Sequence, residues 1–436
     1  MTFSGLNIRA FFAVAVVGFG FIFVNRMSDG QEIGLQGFPQ LSIERDWPWW
    51  RGPFRDGHTS ASSVPSEFSE TKNIRWRADV PGRGHSSPIV VGNLVILTTA
   101  DESAQIQSVV SFDRASGKQT WKTDVSQGGF PKNNHPKNTA ASPTLACDGK
   151  RIFVTFFHHN KILLNVLGLD GRILSEKDLM AFNPKMFEYG YAPSPVLYRN
   201  SVIVVGEYDG ESFIQALDRI SGNLLWKTKR PNNITFSSPV VAHVAGKDQL
   251  LISGSNLVSA YAPDTGNLLW QVKGTTDATC GTMVWEGDTV FASGGYPKAE
   301  TIAVSADGSK RILWKNNQKC YEQSMLVHQG YVYALTDKGI LFCWRATDGN
   351  EMWQQRLKGP VSASPVLVGD LIYWSNELGT HYVFRASPVR FEMVAQNELG
   401  SESFASPAVV GKELFLRVAS ESENQRREVL YCITNP

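Results

Sequence analysis

Three carboxylates and a histidine pair are the residues of this sequence whose types first suggest chemistry. Glu188, Asp277 and Glu322 carry the oxygen ligands that a hard cation such as Ca²⁺ prefers. His158 and His159 are adjacent, but no further ligand stands at a recognisable metal-binding spacing from them. The histidine pair therefore predicts no metal site, and the carboxylates are either ligands or part of a solvated polar rim.

A recurring segment determines where these residues lie. It reads DRISGNLLW at 218–226 and PDTGNLLW at 263–270, and glycine precedes tryptophan by four residues in each copy. The copies are Gly117/Trp121, Gly222/Trp226, Gly266/Trp270 and Gly349/Trp353, with a longer one from Gly308 to Trp314. Glycine suits a turn with positive φ, and tryptophan one strand into a sheet fills the gap to its neighbour. Each copy predicts a hairpin whose tryptophan is buried between sheets.

A second recurring segment runs in phase with the first. It consists of a small or hydroxyl residue, a proline and an apolar run, and two copies replace the proline by methionine. The residue at the proline position of each copy is called here its marker. The markers are Pro88, Pro143, Pro195, Pro239, Met283, Met325, Pro365 and Pro407. Eight copies with four short strands each predict an all-β, eight-bladed β-propeller of four-stranded antiparallel blades. A β-sandwich with repeated hairpins is the alternative.

Residues 74–80 predict how the ring closes. Apolar Ile74, Trp76, Ala78 and Val80 alternate with charged residues, which is typical of a half-buried strand. This strand precedes the first marker, whereas the last repeat lacks its final strand. We therefore expect the N-terminal strand to complete the last blade and leave no open edge.

The candidate site follows from two inserts, 127–138 and 182–191, which lengthen the first two repeats just before their markers. Segments in this position meet at one end of the central channel, and long loops on a rigid scaffold often carry function. The candidates at this channel mouth are Arg83, His85, Lys137, Glu188, Tyr191, Phe236, Asp277, Cys280, Glu322 and Phe404. A solvated rim without a ligand is the alternative.

The five cysteines are Cys147, Cys280, Cys320, Cys343 and Cys432, and no two of them are adjacent. In an exported chain an odd number leaves one unpaired. Cys280 and Cys320 hold similar positions in neighbouring repeats and are the best candidates for a disulfide, with buried free thiols as the alternative.

The N-terminal region predicts a membrane tether. Residues 10–24 are an apolar run of fifteen between Arg9 and Arg26; a spanning helix needs about 20 residues and a signal-peptide core about 7–15. No small-residue cleavage site follows, which favours an uncleaved signal-anchor over a cleaved signal peptide, with a buried core helix as a third interpretation. We expect 1–26 to be the anchor or signal, 27–73 a tether with an arm, and 74–436 the propeller, facing the periplasm or cell envelope.

The arm is rich in tryptophan. Trp47, Trp49, Trp50 and Phe54 lie close together, and the interspersed prolines and Gly52 exclude a regular helix or a central strand. Packing of these aromatics on the propeller wall is favoured over a ligand-stacking patch.

Charge excludes one class of partner. The formal net charge is +1, so the chain lacks the basic excess that nucleic-acid binding requires. A monomer is expected.

The repeat resembles a known family. Residues 216–226, ALDRISGNLLW, and the SSPVVA start at 237–242 resemble the repeat of pyrroloquinoline-quinone (PQQ) type propellers, and this resemblance covers about 74–434. The W-x-W-W-R-G-P-x-R-D-G arm resembles a segment ahead of such propellers in planctomycete-type, membrane-anchored proteins. One branch of the family oxidises alcohols or sugars with PQQ and calcium, and the other, BamB-like, binds protein partners. A shared fold does not choose between them.

The enzyme branch requires residues that are missing here. The resemblance implies that such an enzyme holds its quinone between an indole ring and a disulfide of two adjacent cysteines. Calcium would polarise the quinone, and an aspartate would act as the base. This chain has no adjacent cysteines and is shorter than such enzymes. The resemblance therefore implies a non-catalytic scaffold without cofactor that binds a protein or envelope-polymer partner. A PQQ- and calcium-dependent alcohol or sugar dehydrogenase is the alternative. We predict no catalytic residue and no metal ligand, and assign no cofactor-binding residue.

Overall fold

The computed structural model describes residues 1–2, 35–422 and 425–435. The described residues form 32 strands in eight four-stranded antiparallel sheets. The predicted eight-bladed propeller is thereby confirmed. The apolar run 10–24 lies outside the described residues. None of the residues described forms a helix with the length and apolarity that crossing a membrane requires.

The strands follow one another from the channel outward in each blade. Strand β1 spans Ile74–Val80. Blade I contains β2 Ile89–Val91, β3 Leu94–Asp101, β4 Ile106–Asp113 and β5 Gln119–Gln127. Blade II contains β6 Ala146–Cys147, β7 Arg151–His158, β8 Lys161–Gly168 and β9 Ile173–Ala181. Blade III contains β10 Val196–Tyr198, β11 Ser201–Gly206, β12 Ser212–Asp218 and β13 Leu224–Arg230. Blade IV contains β14 Val240–Val244, β15 Lys247–Gly254, β16 Leu257–Tyr261 and β17 Leu268–Lys273.

The second half of the ring repeats this order. Blade V contains β18 Val284–Glu286, β19 Thr289–Gly294, β20 Glu300–Ser305 and β21 Ile312–Asn316. Blade VI contains β22 Leu326–His328, β23 Tyr331–Leu335, β24 Ile340–Arg345 and β25 Glu351–Arg356. Blade VII contains β26 Val366–Val368, β27 Leu371–Ser375, β28 Thr380–Arg385 and β29 Met393–Glu398. Blade VIII contains β30 Ala408–Val410, β31 Glu413–Ser422 and β32 Gln425–Ile433.

Strand β1 completes blade VIII, as predicted. It pairs with β32 in the sheet order β1-β32-β31-β30. Trp76 and Val80 are buried, Ile74 and Ala78 are half-buried, and the charged residues between them are exposed. The N-terminal strand therefore joins the two ends of the chain and closes the ring.

The tryptophans of the recurring turns join neighbouring blades. Each indole N–H of the following set donates to a carbonyl in the turn of the next blade, over 2.8–3.0 Å: Trp76 to Arg114, Trp121 to Leu169, Trp226 to Pro263, Trp314 to Ala346 and Trp353 to Ser387. The turn glycine receives the ring. A Cβ on Gly117, whose φ is 71°, would stand 2.6 Å from the Trp76 ring. The glycine is thus required by close approach as well as by its positive φ.

Three blades depart from this pattern. The strand register places Ser175 and Ala395 at the tryptophan positions of blades II and VII. Trp270 donates to Gln249 Oε1 at 2.7 Å, and Gln249 Nε2 donates to Ala306 O at 2.9 Å in the next blade. The amide therefore relays the contact that the other tryptophans make directly. Of the tryptophans predicted to be buried, Trp226, Trp270 and Trp314 are, and Trp121 and Trp353 are half-buried.

The arm closes one end of the channel. Trp47 exchanges two backbone hydrogen bonds with Val90 of β2, of 2.7 and 2.9 Å. Pro48 O accepts from Cys147 N at 2.8 Å, and Gly57 O accepts from Leu367 N at 2.9 Å. The arm therefore crosses the ring from blades I and II to blade VII.

Buried arginines and aromatics fill this arm end. Arg51 Nη2 donates to Met325 O at 3.0 Å, and Arg55 Nη2 donates to Leu197 O at 2.7 Å. Trp47 and Trp49 are each 1% exposed and Phe54 is 8% exposed, which agrees with the predicted packing role. Trp50 differs, because it is only half-buried and faces the other half of the channel.

Candidate functional site

A belt of hydroxyls surrounds the channel directly before the inner strands. Thr144 Oγ1 accepts from Ser87 N, Ser194 Oγ from Thr144 N and Ser238 Oγ from Ser194 N, over 2.9–3.0 Å. At Thr282 the donor is instead Trp50 Nε1, at 2.9 Å. The complete set, called here the hydroxyl belt, is Ser87, Thr144, Ser194, Ser238, Thr282, Ser324, Ser364 and Ser406. The belt ties neighbouring blades together at the level where the arm ends.

A cavity of about 180 Å³ lies above Trp50 and the belt. Residues three positions before the markers form much of its wall, since this spacing places a side chain at the channel mouth in most blades. The wall residues at this spacing are His85, Ala192, Phe236, Cys280, Glu322, Ser362 and Phe404. The end of the channel that holds this cavity is called the cavity end below.

Aromatic rings cover two sides of the cavity. His85 stacks on Phe404 with 4.3 Å between ring centroids and 6° between planes. Tyr189 lies 6.3 Å from Phe236 at 28°, and His135 packs edge-on against Tyr189 at 4.7 Å. Flat apolar faces are therefore presented to whatever occupies the cavity.

A small ion cluster occupies another side. Lys137 Nζ lies 2.7 Å from Glu377 Oε1 and 3.4 Å from Glu322 Oε2. The Ser362 hydroxyl shares its one proton between Glu377 Oε1, at 2.7 Å, and Glu322 Oε2. Burial raises the pKa of Glu322, although Lys137 and Ser362 oppose it. The pKa of Lys137 lies above its ordinary value because Glu322 and Glu377 outweigh its burial. The lysine therefore stays charged between two carboxylates.

His85 and Cys280 are uncharged members of the wall. Burial, with Arg83, Arg417 and Arg426 nearby, holds the pKa of His85 well below its ordinary value. Burial raises the pKa of the Cys280 thiol well above its ordinary value. At neutral pH both side chains are therefore neutral, and the thiol is a poor nucleophile.

The structure brings six of the ten candidate residues to the cavity, namely His85, Lys137, Phe236, Cys280, Glu322 and Phe404. The other four have different surroundings. Arg83 reaches Pro136 O at 3.3 Å, Glu188 accepts from Asn133 at 2.6 Å, Tyr191 is buried with its hydroxyl on Val205 O at 2.8 Å, and Asp277 accepts from Asn256 and Asn233.

Sequence reasoning missed several cavity residues. Ser362 and Ala192 stand three positions before their markers, a constant spacing that would have identified them. Trp50 and Glu377 had no such signal, because their contacts to Thr282 and Lys137 join positions 232 and 240 residues apart.

Cys280 and Cys320, the best candidates for a disulfide in the sequence, do not form one. All five cysteines are free thiols. Cys280 faces the cavity, whereas Cys320 is buried with its sulfur 3.5 Å from Leu335 O. The alternative interpretation, free thiols, is therefore correct.

The histidine pair lies at the turn between β7 and β8. His158 Nε2 is 3.1 Å from Gln127 O, and the His159 ring packs against Gly129. Over residues 1–2, 35–422 and 425–435, no group of three or more His, Cys, Asp or Glu is arranged to hold a metal ion.

The cavity residues do not fit PQQ with calcium. Glu322 and Glu377 already accept from Lys137 and Ser362, so they do not form the open set of oxygens that calcium requires. Lys137 is the cation of the wall, and its charge is already balanced. No two cysteines are adjacent to form the vicinal disulfide opposite the Trp50 indole.

Comparisons with known proteins agree with the fold. A family model described as outer membrane protein assembly factor BamB matches residues 67–182, 105–355 and 322–417. The assembly factor BamB of Yersinia pestis is 24% identical over 375 residues, which are 81% of this chain and 87% of that protein.

Two solved structures share the architecture. A europium-containing methanol dehydrogenase superposes with a TM-score of 0.64 at 12% identity, over 91% of this chain and 99% of that one. BamB from Moraxella catarrhalis superposes with a TM-score of 0.57 at 13% identity, over 82% of this chain and 96% of that one. Since both branches of the fold are represented, the likeness of structure alone does not select an activity.

Proposed function

Since the chain belongs to the family of outer membrane protein assembly factor BamB, we propose that it is a non-catalytic propeller that binds a protein partner in outer membrane protein assembly. The propeller would sit on the exported side of a membrane, tethered through residues 10–24. An envelope polymer is the other partner that the sequence leaves open. Neither PQQ nor calcium takes part.

The pairing of charges in the cavity is the observation that carries the non-catalytic part of the proposal. A general base needs a carboxylate or imidazole within reach of a substrate proton and free to accept it. Both carboxylates here already share Lys137 and Ser362. His85 Nε2 has no hydrogen-bond partner among the described residues, but burial and the nearby arginines hold the pKa of His85 well below its ordinary value and make it a weak base. The cavity end is therefore built for contact rather than for proton transfer.

The loops beside the cavity support a protein partner. Met186 is 54% exposed and Tyr296 is 48% exposed, and Phe187 lies between them, with its ring centroid 5.3 Å from that of Tyr296. Glu188 accepts from Asn133 at 2.6 Å, which holds the two long loops together. Exposed apolar side chains with a polar margin are typical of protein-binding surfaces.

Two measurements on the purified full chain test the proposal. With PQQ, calcium and an artificial electron acceptor, we expect no oxidation of alcohols or sugars. In a pull-down from detergent-solubilised envelope, we expect a component of the outer membrane assembly machinery to be retained, and Glu188→Lys to reduce its recovery. Dye-linked turnover that Glu322→Ala abolishes would show that the protein is an oxidoreductase instead.

A further inference from the structure

The hydroxyl belt leaves hydrogen-bond donors without partners at the cavity floor. Its members Ser87, Thr144, Ser194, Ser238 and Ser406 line the cavity and are 2–8% exposed. Each hydroxyl oxygen accepts a backbone N–H, yet a hydroxyl also has a proton to donate. Within residues 35–422 and 425–435 none of the five donates it to another protein atom. Each oxygen thus has one partner, and its proton is available to an occupant of the cavity that brings several acceptors.

The charges around the cavity favour a neutral occupant. Lys137 is balanced by Glu322 and Glu377, which leaves the cluster with one excess negative charge. An anion would therefore meet repulsion in a partly buried site. Glu322 Oε2 accepts from Lys137 and Ser362, whereas no protein donor among the described residues reaches Oε1. The occupant should also bring a donor for this oxygen.

The walls favour a ring with C–H groups on its faces. His85 on Phe404 and Tyr189 beside Phe236 form two flat aromatic surfaces, and the faces of such rings are electron-rich and attract the positive edges of C–H bonds. Trp50 adds an indole at the floor. The volume of about 180 Å³ is well above the roughly 10–15 Å³ that one water molecule requires, so the cavity has room for a small ring with its substituents.

We propose that this cavity binds one sugar ring. Its hydroxyl oxygens accept from the belt, a hydroxyl proton goes to Glu322 Oε1, and its C–H faces pack on the aromatic walls. The sugar is either a free saccharide or the end unit of a glycan, since both present the same ring. The site adjoins the exposed Met186 surface, since Tyr189 of its wall lies 5.7 Å from Phe187 between ring centroids, but the sugar site does not rest on the proposed protein partner.

Ligand-observed NMR and calorimetry on the full chain test this site. The probes are glucose, N-acetylglucosamine and the β-1,4-linked N-acetylglucosamine trimer. We expect at least one to bind with a millimolar or lower Kd and to be displaced by no carboxylate probe such as N-acetylglycine. Tighter binding of the trimer than of both monosaccharides indicates a glycan end, and equal or weaker binding indicates a free saccharide; either result supports the site.

The belt supplies a matched pair of variants. Ser194 and Ser364 each accept one backbone N–H, from Thr144 and Ser324, but only Ser194 lines the cavity. Ser194→Ala should weaken sugar binding by about three- to tenfold, the range for one neutral hydrogen bond, and Ser364→Ala should leave it unchanged. Should Ser194→Ala fail to fold, Tyr189→Ala on the half-exposed loop removes an aromatic wall and should weaken binding at least as much. The proposal is overturned if no sugar binds, if N-acetylglycine binds more tightly than every sugar, or if the cavity variants and Ser364→Ala behave alike.

Discussion

The two ends of the channel are closed by opposite means. At the arm end the chain fills the channel with its own Trp47, Trp49 and Phe54, and buried arginines cap inner-strand carbonyls. At the cavity end the same eight blades leave a space of about 180 Å³, with hydroxyl protons unused and a lysine held between two carboxylates. Among the described residues, the arm end is filled by side chains of the chain itself, although Trp49 Nε1 and Arg51 Nε have no hydrogen-bond partner. The cavity end leaves space and hydroxyl protons for a ligand.

This difference assigns stability mainly to the arm end and ligand binding to the cavity end of the same propeller. Substitutions at the arm end should cost folding free energy, because they create cavities or strand buried carbonyls. Substitutions at the cavity end should cost less stability and change binding. The predictions below compare equivalent changes at the two ends.

Truncation of a buried arm tryptophan should give the largest effect. Trp47 is 1% exposed and is hydrogen-bonded through its backbone to Val90. Trp47→Ala should lower the free energy of unfolding by about 3–5 kcal/mol, the range for a large buried aromatic. Trp50→Ala at the half-buried cavity floor should cost about 1–2 kcal/mol, since less area and one hydrogen bond to Thr282 are lost. Denaturant unfolding measures both, and equal losses would contradict the division between the ends.

Removal of one cation from each end should give the next largest difference. Arg51→Met leaves Met325 O and Pro365 O without their buried donor and should cost about 2–3 kcal/mol. Lys137→Met removes a partly exposed ion pair and should cost about 1 kcal/mol. Its deficit should shrink on acidification, because protonation relieves repulsion between Glu322 and Glu377. A larger loss from Lys137→Met than from Arg51→Met at neutral pH would count against this account.

One histidine at each end should contribute to the pH dependence of stability with opposite sign. At the cavity end burial lowers the pKa of His85, so wild-type stability falls as pH drops below about 6.5, the unfolded-state value. At the arm end burial alone would lower the pKa of His58, but Asp56 raises it above the ordinary value. His58 therefore adds stability at low pH that is lost as pH rises through its folded pKa.

Two variants separate these contributions. Relative to wild type, His85→Phe should improve as pH falls from 8 to 5, and it keeps the stacking on Phe404. His58→Gln should worsen over the same interval. Urea unfolding across this pH series provides the comparison, and slopes of the same sign for both variants would refute it.

Thiol labelling should give the smallest, purely kinetic difference. Cys280 lies at the cavity wall and is half-buried, whereas Cys147 is fully buried next to the arm, with its N–H on Pro48 O. In the native protein iodoacetamide should modify Cys280 slowly, because burial raises its pKa, and should leave Cys147 unmodified. After denaturation all five thiols should react. If mass spectrometry finds Cys147 labelled before Cys280, or finds a disulfide, the arm end is not the closed end of the channel.

The sequence predicted the strands that recur with the repeat, but few of the contacts between residues that are far apart in the chain. The markers located the inner strands, and the pattern of 74–80 located the closing strand, because both depend on local alternation and on a fixed period. The same period places a wall residue of the cavity three positions before seven of the eight markers, and five of these seven residues were among the predicted candidates. By contrast, nothing local marks Trp50 as the donor to Thr282 or Glu377 as the partner of Lys137, because closure of the ring brings these residues together.

Site-specific photocrosslinking at the two ends tests the central claim most directly. Met186 is 54% exposed beside the cavity, and Val389 is 83% exposed in the β28–β29 turn at the arm end. With a photoreactive residue at one position or the other in the full chain, we expect Met186 to crosslink one outer membrane assembly protein. That product should saturate, compete with unlabelled wild type and disappear in Glu188→Lys, and Val389 should give no such product. The same assembly protein crosslinked from Val389 but not from Met186 would contradict the assignment of binding to the cavity end.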